Sequence, residues 1–274
     1  MKRILRIAQQ EISVQARNRW LHIFTLVFSL LLIGIAYFGL RAMGYTGTQD
    51  FTRTSASLLN LVIYIVPLLA LVLGTLGFSG DEGTQELLYS LPLPRRTVFW
   101  GKFCGLYAAL ALPMLSAFLL TGLFISIQAG SQGIGQYLGF MGVSLILALV
   151  FLNLSGLVSV LFPKKLGAFA VSLFLWLFLV VLYDLGVIGT TLFLPEYVGE
   201  RFVFGAVFFN PIDLLRIAGL MLLGGKEFFG QAGATFVHYW GEEVIAVGVM
   251  GLSVLLWLFI PQLAILKRLN RLDF

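Results

Sequence analysis

Charge, histidine and cysteine are all scarce in this chain. Of its 274 residues, 11% are charged, two are histidine and one, Cys104, is cysteine. A single cysteine excludes an intramolecular disulfide and a cysteine-based zinc site. The two histidines, His22 and His238, fall in distant parts of the chain. The sequence therefore predicts no metal site and no disulfide scaffold.

A phosphate-binding loop is also lacking. ATP hydrolysis by this chain would require the pattern G-x-x-x-x-G-K-[ST]. Its two Gly-Lys pairs begin at Gly101 and Gly225, and the positions five residues earlier are Arg96 and Leu220 instead of glycine. We therefore predict that this chain has no catalytic residues for ATP hydrolysis and that any ATP-driven function needs an ATPase in another chain.

Hydrophobic residues are abundant instead. They make up 59% of the chain, and the mean hydropathy is +0.96. Apolar runs recur, each about as long as the roughly 20 residues that cross a bilayer core. The sequence predicts an all-α membrane protein, a single transmembrane domain over residues 1–274 with six transmembrane helices. The predicted spans are 21–40, 58–78, 103–127, 137–162, 166–189 and 245–266.

Basic residues are distributed unequally between the two sides of such a six-span chain. Thirteen of the 18 fall on the side of the termini, and the five on the other side are Arg41, Arg53, Arg201, Arg216 and Lys226. Lys and Arg are enriched in cytoplasmic loops. We therefore predict a multi-pass protein of the cell (inner or cytoplasmic) membrane with both termini in the cytoplasm. The net charge of +5 is assigned to topology, and we expect no nucleic-acid partner.

The first residues, 2–19, mix apolar and basic side chains. This mixture predicts an amphipathic helix in the membrane interface that ends before Trp20, whose indole suits the headgroup boundary. The basic region is too long for a cleavable signal peptide, and the following apolar run is long enough to span. After the first span, residues 41–56 are predicted to form a polar loop. In the fourth span, Asn153, Ser155 and Ser159 are predicted to mediate helix contacts.

Polar residues on the outer side form a second group of candidates. Asp184 is the charged residue that falls within a predicted span. A charged residue in a span is a functional candidate by default. Asp184 lies near the outer end of its span, however, where simple solvation by water or headgroups is the alternative. Asn210 suits an N-cap, Pro211 the first helical position and Asp213 the first turn, so a helix is predicted to start there. Arg216 could pair with Asp213 at i, i+3 spacing. We predict a pathway or outer-face contact for Asp184, Asn210, Asp213 and Arg216.

The segment between the second and third spans, residues 80–102, is the longest polar interruption between two apolar spans. Asp81, Glu82 and Glu86 come early in it, where a helix N-terminus favours negative charge. Pro92 and Pro94 then end the helix. The segment therefore predicts a short amphipathic helix that exposes its acidic residues on one side.

The same segment resembles the signature of the ABC-2 family of ABC transporter permeases. The matching stretches are Glu82-Gly83-Thr84, Glu86-Leu87-Leu88, Ser90-Leu91-Pro92, Arg95 and Gly101-Lys102. The N-terminal helix and the six-span layout are similar to the same family, so the resemblance covers the whole chain. One departure is Phe78-Ser79-Gly80-Asp81, where the family usually carries more charge. The Asn210-Pro211-Ile212-Asp213 stretch is similar to one in the NosY-type permeases.

The resemblance implies that this loop is a cytoplasmic coupling helix that contacts a separate ABC ATPase subunit. The implied contact residues are Asp81, Glu82, Gly83, Thr84, Glu86, Leu87, Leu88, Pro92, Arg95 and Arg96. It also implies a second permease copy or homologue in a dimer, export of a substrate, and ATP and Mg bound by the ATPase. This chain is then expected to bind no cofactor itself.

Two alternatives to a transporter permease stay open. The first is a membrane-embedded enzyme. An intramembrane protease would need paired membrane aspartates, a Ser/His pair or H-E-x-x-H, and Asp184 has no predicted partner inside a span. A membrane transferase stays open, because such enzymes can place their residues in loops without a compact motif. The second is a mechanical or signalling assembly, in which the ATPase moves helices but no solute crosses. An outer-face accessory protein is a further expected partner. Dependence of ATPase activity on this chain separates the enzyme from the other two, and transport assays in vesicles separate transport from mechanical coupling.

Overall fold

The computed structural model describes residues 2–42, 48–79, 94–130, 133–223 and 243–271. In these ranges every regular element is helical, which confirms the all-α prediction. The helices are α1 (Lys2–Ala16), α2 (Arg19–Ala42), α3 (Thr48–Phe78), α4 (Arg95–Ala129), α5 (Ile134–Leu161), α6 (Lys165–Leu177), α7 (Tyr183–Thr191), α8 (Glu196–Val207), α9 (Pro211–Leu222) and α10 (Glu243–Arg271). A π-helical turn, Phe178–Leu182, joins α6 to α7.

Six of these helical units are long and apolar enough to cross a membrane. They are α2, α3, α4, α5, the continuous unit of α6, π turn and α7, and α10. The prediction of six spans is confirmed. The side chains of α5 are the most buried of the six, because apolar residues surround this helix on all sides and its neighbours cover them.

The contact between α3 and α5 forms the centre of the bundle. A Cβ atom at Gly74 of α3 would overlap Ser155 Oγ and lie 2.8 Å from Leu152 Cδ1 of α5. Glycine here lets the two backbones approach closely, as small residues do in membrane helix pairs. Ser155 is buried at this contact, and the Nδ2 atom of the buried Asn153 donates to Leu258 O of α10 at 2.6 Å. The prediction that polar residues of this span mediate helix contacts is confirmed for Asn153 and Ser155, whereas the Ser159 hydroxyl donates to Ser155 O within α5.

The predicted polar loop over 41–56 is wrong in its second part, because α3 begins at Thr48. Thr54 and Ser55 are buried, and a Cβ at Gly39 of α2 would lie 3.3 Å from Thr54 Oγ1. Packing against α2 therefore outweighs the weak helix propensity of these hydroxyl residues.

Between the fifth and sixth spans, α8 and α9 form a hairpin. The two helices meet at an angle of 92°. Asn210 caps α9 by accepting a hydrogen bond from Ile212 N–H at 3.0 Å, with Pro211 in the first turn, which confirms the predicted helix start. α8 packs against α7, whereas α9 packs against α3, α5 and α10. The hairpin therefore enters the bundle and does not lie wholly on its surface.

The two ends of the chain meet at one end of the bundle, which we call the terminal end. α1 lies against the start of α4, and Arg96 Nε of α4 donates to Asn270 Oδ1 of α10 at 2.8 Å. The end of α3 and the start of α4 also lie here, so residues 80–93 connect two helices at the terminal end. The α8–α9 hairpin lies toward the opposite end, which we call the distal end.

Candidate functional site

Most of the predicted ATPase-contact residues lie outside the described residues. They are Asp81, Glu82, Gly83, Thr84, Glu86, Leu87, Leu88 and Pro92. The structure describes Arg95 and Arg96, which form the first turn of α4, with Arg96 exposed. The described part of the candidate coupling site is therefore its base, the end of α3 and the first turns of α4.

A lysine joins the two helices at this base. Lys102 Nζ of α4 donates to Gly77 O of α3 at 3.0 Å. The last carbonyls of a helix have no partner within it, and a basic side chain near the C-terminus satisfies them favourably. Lys102 therefore caps the C-terminal end of α3 and ties it to α4, close to the point where residues 80–93 begin.

Stacked aromatic rings support the same base. The ring centroid of Phe99 lies 5.2 Å from that of Phe78 and 6.0 Å from that of Phe103. Trp100 packs edge-on against Phe103. A Cβ at Gly156 of α5 would lie 3.3 Å from the Phe99 ring, so the cluster rests directly on the central helix. Movement of the base is thereby opposed by a packed core.

Two glycines of α4 allow α1 to approach this base. A Cβ at Gly101 would lie 2.6 Å from Ile7 Cβ, and one at Gly105 would lie 2.8 Å from Ala8 O. Glu11 of α1 lies beside Gly105, and its negative charge acts on Lys102. The predicted N-terminal helix thus packs on the base of residues 80–93.

The four residues predicted on the outer side do come together, between the fifth span and the first turns of α9. Asn210 Nδ2 donates to Asp213 Oδ2 at 2.8 Å and to Leu179 O at 2.9 Å. The Asp213 and Asp184 carboxyl groups lie close enough for their charges to interact. Arg216 is exposed, and its positive charge acts on Asp213 as the i, i+3 spacing predicts.

Sequence reasoning missed two members of this distal cluster. Tyr183 donates through its hydroxyl to Ala206 O at the end of α8, and the Leu179 carbonyl belongs to the π turn. The position of Tyr183 beside Asp184 was a signal that could have identified it. The π turn has no such signal, because its residues form an uninterrupted apolar stretch that is equally typical of an α-helix.

A cavity of about 460 Å³ lies beside this cluster, between α7 and α8. Its lining is largely apolar and includes Tyr183, Val187 and Thr190 from α7 and Phe202 and Ala206 from α8. Among the described residues, no three His, Cys, Asp or Glu side chains form a group that could hold a metal ion. The polar contacts described above join helices of this chain.

Comparison with known proteins agrees with this architecture. The family model for "ABC-2 family transporter protein" matches residues 5–273. The probable ABC transporter permease protein NosY of Pseudomonas aeruginosa is 33% identical over 258 residues, which cover 92% of each chain. A protein of the same description from Stutzerimonas stutzeri is 30% identical over 270 residues, which cover 96% of each chain. With a family match over nearly its full length and six membrane-spanning helical units, this chain belongs to the ABC-2 family of transporter proteins.

Proposed function

We propose that the chain is the permease subunit of an ATP-driven transporter. A separate ABC ATPase subunit binds ATP and Mg, and residues 80–93 contact that subunit. Closure of the ATPase subunits on ATP moves these residues, and the movement changes the arrangement of the six spans. This chain binds no cofactor in this scheme.

The construction of the loop base is the observation that carries the proposal. Lys102, the Phe78–Phe99–Phe103 stack and the α1 contact hold the end of α3 and the start of α4 as one packed unit. A loop that receives force must depart from a rigid base, because a soft base would absorb the displacement. Both NosY relatives are described as probable ABC transporter permeases, which supports the same role.

The charge distribution supports an orientation with the terminal end in the cytoplasm of the cell membrane, where the ATPase subunit has ATP available. A second copy of the chain, or a homologue, completes the permease. Neighbouring helices of the same chain bury much of the second and fourth spans, α3 and α5. The first, fifth and sixth spans are largely exposed on the surface of the bundle. These uncovered spans supply apolar faces for lipid and for the second permease.

We propose outward transport, by the family resemblance. The distal polar cluster of Asp184, Asn210, Asp213 and Arg216 then lies on the outer side, next to the cavity between α7 and α8. In this arrangement the cluster contacts the substrate route or an accessory protein at the outer face.

A second candidate function is mechanical, with an accessory protein on the outer face receiving the movement. Leu192 and Phe193, which follow the fifth span at the distal end, favour it, because their side chains are 78% and 89% exposed. Large apolar side chains that are this exposed are typical of contact surfaces. Measurement of solute uptake into vesicles that contain both subunits separates the candidates: ATP-dependent uptake supports transport, and helix movement without uptake supports the mechanical assembly.

The ATPase contact is tested by copurification with an ABC ATPase encoded in the same genome. A Glu82→Lys, Glu86→Lys double variant reverses both charges of the predicted acidic face and is expected to reduce copurified ATPase at least tenfold. Glu200→Lys on the exposed face of α8 is the matched control and is expected to copurify normally. Full copurification of the double variant would contradict the proposed contact.

A further inference from the structure

The π turn in the fifth span has an atomic cause that the sequence did not show. In an α-helix, Tyr183 N–H would donate to the carbonyl four residues earlier, Leu179 O. Here Tyr183 N–H donates to Phe178 O, five residues earlier. Asn210 Nδ2, from the start of α9, donates to Leu179 O at 2.9 Å. The Asn210 side chain therefore provides Leu179 O with a donor in a turn where Tyr183 N–H has moved to another carbonyl.

Both partners of this bond are inside the protein. Asn210 is 0% exposed and Leu179 is 4% exposed. Loss of the donor to a buried carbonyl destabilises the fold unless another donor replaces it. In an α-helix the donor to Leu179 O is Tyr183 N–H, so its use would convert the π turn into α-helix.

Conversion of the turn would change the orientation of everything that follows it in the span. A π turn accommodates one residue more than the α-helix it replaces. When the same residues wind as α-helix, the following helix rotates by about one residue position, roughly 100°. In the present orientation, α7 directs Tyr183 toward Ala206 and Asp184 toward Asp213.

We propose that Asn210 is a positioning residue that holds the π turn of the fifth span and thereby sets the rotation of α7. Loss of its donor group allows the turn to wind as α-helix and rotates α7 by about 100°. The rotation removes Tyr183 and Asp184 from the α8–α9 hairpin and changes which side chains line the cavity between α7 and α8. The fifth span therefore has two orientations, and the hairpin selects one.

The substitution Asn210→Ser tests this proposal, because serine is a good N-cap for α9 but is too short to reach Leu179 O. In a Cys104→Ser background, single cysteines at positions 185–191 carry a spin label, and oxygen accessibility is measured in a bilayer. Accessibility along a helix repeats every 3.6 residues. Asn210→Ser is expected to shift the phase of this repeat by about 100°, whereas simple loosening of the hairpin would change its amplitude and leave its phase unchanged.

A deletion supplies the rescue. Removing Val181 takes one residue out of the π turn, so the segment can wind as α-helix while α7 keeps its original orientation. Asn210→Ser with this deletion is expected to restore the original phase. Asn153→Ser is the matched control, because Asn153 is also a buried asparagine that donates to a carbonyl of another helix, and it is expected to leave the phase of 185–191 unchanged.

The proposal is overturned if Asn210→Ser folds and keeps the original phase, or if the phase shift is unaffected by deletion of Val181. If Asn210→Ser alone does not yield folded protein, the test is whether Asn210→Ser combined with deletion of Val181 yields folded protein. Recovery of folded protein by the deletion supports the proposal, and no recovery overturns it. None of these readouts uses ATP or the ATPase subunit, so the result is independent of the proposed transporter function.

Discussion

At the scale of single residues, glycine and polar side chains decide which helices approach each other. Gly74 allows α3 to reach α5 because any side chain there would overlap Ser155 and press on Leu152. Asn153 and Asn210 are both buried, and each donates to the carbonyl of a neighbouring helix. The sequence showed that these residues were polar and lay in or near spans. It did not show their partners, because the partners are backbone carbonyls that every residue possesses.

The close contact at Gly74 predicts that alanine destabilises the protein at position 74 and not at position 142. Gly74→Ala is expected to destabilise the protein by about 1–3 kcal/mol, since the added methyl overpacks the centre of the bundle. Gly142→Ala on α5 is the matched control, because a Cβ there meets nothing within 4 Å and alanine favours helix. Thermal unfolding in detergent is expected to show a lower midpoint for the first variant and an equal or higher one for the second. Equal midpoints for both would contradict the contact.

At the scale of helices, length and apolarity were enough to predict six spans, because hydrophobic thickness sets the length of a spanning helix. The N-cap chemistry of α9 was also readable from Asn210 and Pro211, since it depends on neighbouring residues. Two features were not readable. The first is the start of α3 at Thr48, which packing against α2 explains. The second is the π turn, in which the Leu179 carbonyl accepts a hydrogen bond from the side chain of Asn210, 31 residues later. Both depend on tertiary contacts between distant segments.

The contact between α1 and α4 predicts how the N-terminal helix is held. Gly105→Leu would place a side chain against Ala8 O and Glu11 and is expected to displace α1 from the loop base. Cys104→Leu puts the same side chain on the adjacent exposed position and is expected to leave α1 in place. Hydrogen exchange of residues 2–16 provides the measurement, with at least tenfold faster exchange expected for Gly105→Leu. Unchanged exchange in that variant would show that α1 is held elsewhere.

At the scale of the whole molecule, polar contacts join the helices in two separate parts of an apolar bundle. The terminal end joins α1, the base of residues 80–93 and the end of α10 through Gly105, Lys102 and the Arg96–Asn270 bond. The distal end joins the fifth span to the α8–α9 hairpin. α5 extends between these two parts. Its Gly156 contacts the Phe78 and Phe99 rings, and α9 packs against the same helix. In the proposed function, force enters at the terminal end and the change in orientation is completed at the distal end.

The central claim is that residues 80–93 contact an ATPase subunit, and photocrosslinking tests it most directly. A photoreactive amino acid is placed at Glu86 or Leu88 in the loop and, as a control, at Glu200 on α8, and each variant is irradiated in membranes that contain the same ABC ATPase. The account predicts crosslinks to the ATPase from both loop positions and none from Glu200. Crosslinks from Glu200, or their absence from both loop positions in an assembled complex, would contradict it.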